Sequence, residues 1–185
     1  VSRLYEAGLP GGGARLATLA QTALGQIISN LPKAPEEICV AANTAITCLM
    51  LGLDVNGLAK APYSLPVCGN QTYKLPNLPP IYIPPLLSPF IGGDISAGLC
   101  AILHGEYEEG AGAPQFPFLM ADLGTNGEFV LAKSANEFYA ASIPMGPALE
   151  GIGLSCGGMA GEEGGKSSKF VATAFRLAPE GIISN

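Results

Sequence analysis

One turn of the sequence combines a carboxylate, a hydroxyl and two glycines within a few residues. The segment FPFLMADLGTNGEFVLAKS, residues 116–134, is an apolar run that ends at Asp122, then a small polar turn, then a second apolar run. The Asn126-Gly127 pair between apolar runs predicts a β-hairpin. Such a hairpin can present backbone N–H groups and the Thr125 hydroxyl to a phosphate, with Asp122 beside it to hold a metal ion or a water molecule.

The residue types alone leave a simpler interpretation open. Asp122 can be an ordinary turn residue, and Asn126 and Gly127 tolerate the positive φ angles that tight turns require. The same residues therefore also suit a hairpin that binds nothing, and from residue types alone this interpretation is the better supported.

The composition excludes several classes of protein. The chain has 185 residues, of which 48% are hydrophobic and 13% charged, so it is too apolar for a disordered chain and predicts a folded core. A net charge of −6 gives no basic surface for nucleic acid. No apolar run reaches the about 20 residues that cross a bilayer, and VSRLYEAGLPGGG lacks the regions of a signal peptide. The sequence predicts a cytoplasmic protein without nucleic-acid or membrane partners.

Helix and strand signals in the first part of the chain predict an α/β fold. Apolar residues at helical spacing predict a helix over residues 14–31, which Pro32 ends. A short strand at 38–40 precedes a helix over roughly 44–52 that Asn43 can cap. The predicted apolar face of the first helix comprises Leu16, Leu19, Ala20, Ala23, Ile27, Ile28 and Leu31.

A proline-rich segment over residues 62–90 follows. Its eight prolines exclude regular helix and restrict interior strands, while its apolar residues predict an ordered, extended excursion. Asp94 is the predicted N-cap of the next helix, which Gly105 ends. His104, the only histidine, is better explained as a partner of this helix's dipole than as a catalytic group.

The five cysteines are predicted to be reduced thiols. Their number is odd and no two form a C-x-x-C pair, so an iron–sulfur cluster held by this chain alone is not expected. Cys39, Cys48 and Cys100 stand inside apolar runs and are predicted to be buried.

Taken together as longer segments, the motifs resemble the C-terminal domain of the reductive activators of corrinoid proteins. These are ATP-dependent proteins of anaerobes, in the superfamily of acetate kinases, sugar kinases, heat-shock chaperones and actin. The family pattern Asp-x-Gly-Thr-Asn-Gly-Glu is matched by Asp122, Gly124, Thr125, Asn126, Gly127 and Glu128. Its Gly-Pro-Ala-x-Glu-Gly loop is matched by Gly146, Pro147, Ala148, Glu150 and Gly151. Its Cys-Gly-Met turn is matched, with one extra glycine, by Cys156 and Met159.

Upstream segments extend the resemblance over most of the chain. VAANTAITCLMLGL resembles the family's Gly-Asn-x-x-Met segment, with Ala42 in place of glycine and Ile46 in place of methionine. PFIGGDISAGLCAIL resembles its Gly-Ala-Asp segment. The resemblance thus runs from about Val1 to Met159.

The resemblance implies an actin-like or sugar-kinase-like ATPase fold, with mixed sheets flanked by helices and with ATP and Mg²⁺ between two lobes. Residues 1–115 then belong to the first lobe and residues 116–185 begin the second. Asp122 and Glu150 take catalytic roles, Asp122 as a metal ligand and Glu150 as the group that orients a Mg²⁺-bound water, although Glu150 can equally be a helix-capping residue. The implied cofactor-binding residues are Gly124, Thr125, Asn126, Gly127, Glu128, Gly146, Pro147 and Gly151.

The implied activity is ATP-dependent reductive activation of a corrinoid protein that serves methyl transfer. The family's earlier Asp-x-Gly-Thr-Thr hairpin and its iron–sulfur domain are not found in this sequence, so we expect an incomplete ATPase fold that binds ATP weakly or not at all on its own. An iron–sulfur cluster is expected only in a domain of a parent protein. The alternative is a non-catalytic module of the same fold that docks to a corrinoid protein through residues 62–90 or forms a homodimer.

Overall fold

The computed structural model describes residues 2–105, 112–124, 126–145, 175–178 and 181–184, which form a mixed α/β structure, as predicted. Contacts divide the chain into unit 1, Val1–Met120 with Val130–Ala141, and unit 2, Ala121–Phe129 with Ser142–Asn185. The elements in chain order are α1 (Ser2–Ala7), α2 (Gly12–Ser29), β1 (Ile38–Cys39), α3 (Thr44–Met50), α4 (Asn56–Ala59), β2 (Gln71–Tyr73), β3 (Ile81–Ile83), α5 (Gly93–His104), β4 (Phe118–Leu123), β5 (Asn126–Ser134), β6 (Glu137–Pro144), β7 (Phe175–Ala178) and β8 (Gly181–Ser184).

Helix α2 forms close to the predicted range, but only part of its predicted face packs against the core: Leu16 and Ala20 contact the buried clusters. Ala17 is buried, and the Gln21 side-chain amide donates to the Met50 carbonyl at 2.8 Å. The packed face is therefore rotated toward Ala17 and Gln21, and Leu19 and Ile27, two residues of the predicted face, are exposed. The periodicity located the helix correctly, whereas a polar side chain with a specific backbone partner decided its orientation.

The first sheet has an interior strand, β3, within the proline-rich segment, where interior strands were expected to be restricted. Strand β3 is central, with β1 parallel on one side and β2 antiparallel on the other. Ile81 and Ile83 are both 0% exposed. Pro80 and Pro84 flank β3 without interrupting it, and the Pro80 carbonyl accepts from the Ile38 N–H at 2.9 Å. Prolines lack a donor but keep their acceptor, so a strand between them can still be interior.

The cap of α3 is confirmed. The Asn43 side chain accepts a hydrogen bond from the Ile46 N–H at 2.9 Å, which satisfies one of the free donors at the helix start.

The predicted cap of α5 is wrong. Gly92 is the N-cap, and Asp94 lies inside the first turn, where its N–H donates to the Ala42 carbonyl at 3.2 Å. The helix begins earlier than predicted, and its N-cap residue Gly92 lies directly against the start of α3, where no side chain fits. At the other end Gly105 is the C-cap and His104 lies in the last turn, as predicted.

Only one of the three cysteines predicted to be buried is buried. Cys48 is 0% exposed in a cluster with Leu49, Val55 and Leu58, whereas Cys39 and Cys100 are exposed, as is Cys68. Cys39 points away from the core because its neighbour Ile38 occupies the inner side of β1, and side chains alternate along a strand.

Burial raises the pKa of the Cys48 thiol to about 11. We therefore expect iodoacetamide at about pH 8 to modify Cys39, Cys68 and Cys100 in the folded protein and to leave Cys48 intact, as peptide mass mapping will show. The unfolded thiol ionises at lower pH than the folded one, so stability falls as pH rises from about 9 to 11, by an amount on the order of 2 kcal/mol.

A Cys48→Ala variant is the control for this expectation, because it removes the titrating thiol. Its melting temperature should lack the extra decrease between about pH 9 and 11. Labelling of Cys48 as fast as Cys39 would contradict the burial.

The second sheet has the strand order β4-β5-β6, and β7 pairs with β8 as a separate antiparallel hairpin. Within unit 1, Val130 of β5 forms an apolar cluster with Ile91 and Ile95, and Leu99 and Met120 pack against it. Among the described residues, no helix combines the length and the apolarity that crossing a bilayer requires.

Candidate nucleotide-binding site

The hairpin exists, but its turn is not where the Asn-Gly pair predicts. Strand β4 ends at Leu123 and β5 begins at Asn126, so Asn126 and Gly127 belong to the strand. The Gly124 N–H donates to the Asn126 carbonyl at 2.8 Å. Asn126 and Gly127 are thus strand residues and not the two central residues of a tight turn.

Gly127 is required for close packing and not for turn geometry. It is buried, and a Cβ built on it would collide with the Met145 side chain and lie 3.0 Å from Cε2 of Phe129. The absence of a side chain at Gly127 lets Met145, which directly precedes the Gly146-Pro147 motif, lie against the hairpin.

The hydrogen bond from the Gly124 N–H to the Asn126 carbonyl also implies a cross-strand pair of carboxylates. A connection of two residues between neighbouring strands allows only an antiparallel pair. Counting back from Gly124 opposite Asn126, we infer that Asp122 faces Glu128, with Cβ atoms about 5 Å apart. The same strand register places Met120 opposite Val130. These two residues belong to one apolar cluster, so the register agrees with the packing.

The electrostatics of this pair favour a bound cation. Asp122 is exposed and Glu128 is half-buried, and the hairpin residues 121–129 contain no Lys or Arg. Like charges directly opposed on two strands are unfavourable. The Ser142 hydroxyl on β6 donates to Glu128 Oε1 at 3.2 Å, which stabilises the carboxylate without neutralising it.

The donor set fits Mg²⁺ bound together with a nucleotide. Mg²⁺ prefers oxygen ligands and is commonly held by one or two carboxylates, with phosphate and water completing its shell. Among the residues that the structure describes, no group of three or more His, Cys, Asp and Glu side chains is placed to hold a metal by itself. Asp122 and Glu128 would thus supply a part of the shell and phosphate oxygens another part.

Half of the predicted site can be compared with the structure. Asp122, Gly124, Asn126, Gly127 and Glu128 lie together on the hairpin. Five others lie outside the described residues, namely Thr125, Gly146, Pro147, Glu150 and Gly151. Sequence reasoning missed Ser142, because its link to Glu128 depends on the pairing of β5 with β6, which no local spacing reveals.

Two surface depressions lie in unit 1, and the predicted site residues line neither. One, of about 310 Å³, lies between the start of α2 and the loop at 52–56. The other, of about 300 Å³, lies between the middle of α2 and residues 76–78. Neither brings together a set of charged groups, and Asp54 is the single carboxylate among their lining residues.

Comparison with known proteins supports the resemblance seen in the motifs. A family model described as the RACo middle region matches residues 1–105, more than half of the chain. The chain belongs to the RACo family. A second model, described as the C-terminal domain of RACo, the ASKHA domain, matches residues 117–169 of this RACo chain and so includes the hairpin.

Two relatives of this RACo chain are informative. The corrinoid activation enzyme RamQ of Eubacterium limosum is 34% identical over 107 residues, which are 55% of this chain and 16% of the relative. A solved structure titled reductive activator for corrinoid, iron-sulfur protein superposes with a TM-score of 0.61 at 24% identity, covering 85% of this chain and 26% of that one. The latter shows a shared fold, and the RACo chain spans about a quarter or less of the length of either protein.

Proposed function

We propose that this chain is part of the ATP-binding domain of a reductive activator of a corrinoid protein. The observation that supports it most directly is the β4–β5 hairpin, whose Gly124–Asn126 hydrogen bond implies that Asp122 lies opposite Glu128, within the segment that the ASKHA family model matches. On this proposal the fold is the actin-like, two-lobed ATPase fold, the first lobe including residues 1–115 and the second beginning at residue 116. A cytoplasmic location and a possible homodimer stay predictions.

In this proposal each site residue has a separate task. Asp122 and Glu128 hold the Mg²⁺ that accompanies ATP, which supplies charge neutralisation at the phosphates. Backbone N–H groups near Gly124 and the Thr125 hydroxyl contact the phosphates, and Gly146, Pro147 and Gly151 line the nucleotide cleft. Glu150 orients the attacking water.

ATP assists the reduction only by binding two conformations of the protein with different affinity. An iron–sulfur cluster of the parent protein would supply the electron, and the corrinoid of the partner protein would be the substrate that is reduced. The free energy of ATP binding and hydrolysis offsets the unfavourable potential of that step.

The test uses the complete gene product that carries this chain, a corrinoid protein in the Co(II) state and a low-potential chemical reductant. We expect Co(I), followed by its visible absorption spectrum, to accumulate with Mg-ATP and not with Mg-ADP. Equal reduction with both nucleotides would reject an ATP-dependent activator.

A specific surface feature favours the second candidate, a docking module. Tyr63 and Phe90 form an edge-to-face pair with centroids 4.8 Å apart, yet they remain 53% and 47% exposed. Leu87 nearby in the sequence is 50% exposed. Preordered aromatic side chains at a surface are typical anchors of protein interfaces.

If this surface docks the corrinoid protein, the double variant Tyr63→Ala, Phe90→Ala should weaken the complex about tenfold or more, because truncated aromatic anchors commonly cost that much. Calorimetric titration with the corrinoid protein measures the change. Tyr5→Ala is the matched control, because Tyr5 is also exposed but lies in α1. Equal affinity of the double variant and the control variant would reject the docking surface.

A further inference from the structure

Glu128 occupies a position that strand alternation assigns to an apolar side chain. Side chains two residues apart share a face of a strand, so Glu128 shares its face with Val130 and Ala132. Those two residues are 2% and 0% exposed, and Glu128 itself is half-buried. A carboxylate that continues a buried apolar row is costly unless polar groups contact it.

Ser142 supplies such a contact from the neighbouring strand. Its hydroxyl donates to Glu128 Oε1 at 3.2 Å, and both residues belong to unit 2. A glutamate has several rotatable bonds, and a hydrogen bond to one carboxylate oxygen restricts them. The hydroxyl is neutral, so this contact itself does not cancel the negative charge of Glu128.

We propose that Ser142 is a positioning residue that holds the Glu128 carboxylate ready for the Mg²⁺ of a Mg-nucleotide. The inference rests on the proposed nucleotide-binding function. Ser142 itself does not touch the nucleotide; it acts through Glu128 by limiting the orientations that the carboxylate samples before binding. Loss of the hydroxyl therefore weakens Mg-nucleotide binding while the charge of the site is unchanged.

The test compares two variants of nearly the same shape, Ser142→Thr and Ser142→Val, in the complete gene product. Threonine keeps the hydroxyl and valine lacks it, and both suit a β-strand. Calorimetry with Mg-ATP is expected to give a dissociation constant within about threefold of wild type for Ser142→Thr and about tenfold weaker for Ser142→Val, because hydrogen bonds to charged groups are of that strength.

A double-mutant cycle separates positioning from a general structural role. In a Glu128→Gln background the Thr and Val variants should bind Mg-ATP equally, because the charged carboxylate that Ser142 positions is gone. A Thr–Val difference that persists unchanged in that background would overturn the inference. Should Ser142→Val not fold, Ser142→Ala replaces it as the variant without a hydroxyl, with wild type as its reference.

The outcomes also distinguish this inference from the function on which it rests. If wild type binds Mg-ATP and Ser142→Val binds it equally well, the positioning role fails and the nucleotide site stands. If wild-type complete protein binds no Mg-ATP, the proposed function fails and the role of Ser142 fails with it.

Discussion

Replacing Asp122 with asparagine is expected to decrease Mg-ATP turnover and, at the same time, to stabilise the protein. The substitution preserves size and removes the charge that would contact Mg²⁺, so ATP hydrolysis should fall on the order of a hundredfold. It also removes the repulsion between Asp122 and Glu128, two carboxylates directly opposed across β4 and β5, and should add about 0.5 kcal/mol to the free energy of unfolding. Phosphate release and thermal unfolding of the complete gene product measure the two effects.

Salt concentration and a matched variant sharpen this expectation. Because Asp122 is exposed, the gain in stability should decrease as salt rises and screens the repulsion. Asp54→Asn is the control: Asp54 is also exposed, and its oxygen accepts from the Asn56 N–H in a turn, a role that asparagine retains. It should change neither turnover nor the salt dependence of stability.

The decrease in turnover and the gain in stability test different statements. Wild-type turnover by Asp122→Asn would show that the hairpin does not hold the metal. Loss of turnover without a gain in stability would show that Asp122 and Glu128 do not face each other.

Gly92→Ala should produce a large loss of stability from a single added methyl group. A Cβ at Gly92 would lie 2.5 Å from the Thr44 nitrogen, 2.6 Å from the Asn43 Cα and 2.7 Å from the Ala42 oxygen. All three are backbone atoms, so no side chain can move aside, and the start of α5 must separate from the start of α3. We expect a loss of about 3 kcal/mol, at the upper end of typical overpacking, visible as a lower midpoint in urea.

The neighbouring glycine provides the control. A Cβ on Gly93 would meet Pro84 side-chain carbons at 3.5 Å and the Ala42 oxygen at 3.6 Å, which is ordinary contact. Alanine is favoured over glycine inside a helix, so Gly93→Ala should be neutral or stabilise by up to about 1 kcal/mol. Similar midpoints for the two variants would contradict the close approach of the two helix starts.

Local chemistry made several elements predictable from the sequence. The β1–α3 unit with its Asn43 cap follows from a short apolar run and a side chain that accepts from the helix start. The end of α5 at Gly105 was predicted for similar reasons. In contrast, part of the packed face of α2 and the exposure of Cys39 and Cys100 were mispredicted, because apolar spacing does not say which side of an element other elements will cover.

For the site, the sequence by itself determined which chemical groups are present and that they lie on a reversal between two apolar runs. The tertiary structure decided what those groups face: Ser142 bonded to Glu128, Met145 against Gly127, and the Gly124–Asn126 hydrogen bond from which we infer that Asp122 lies opposite Glu128. The physical reason is that side-chain types and short spacings control local backbone conformation, whereas strand register and close packing depend on residues far apart in the chain. The RACo hairpin motif is therefore visible in the printed sequence, and the paired carboxylates that would give it a function are not.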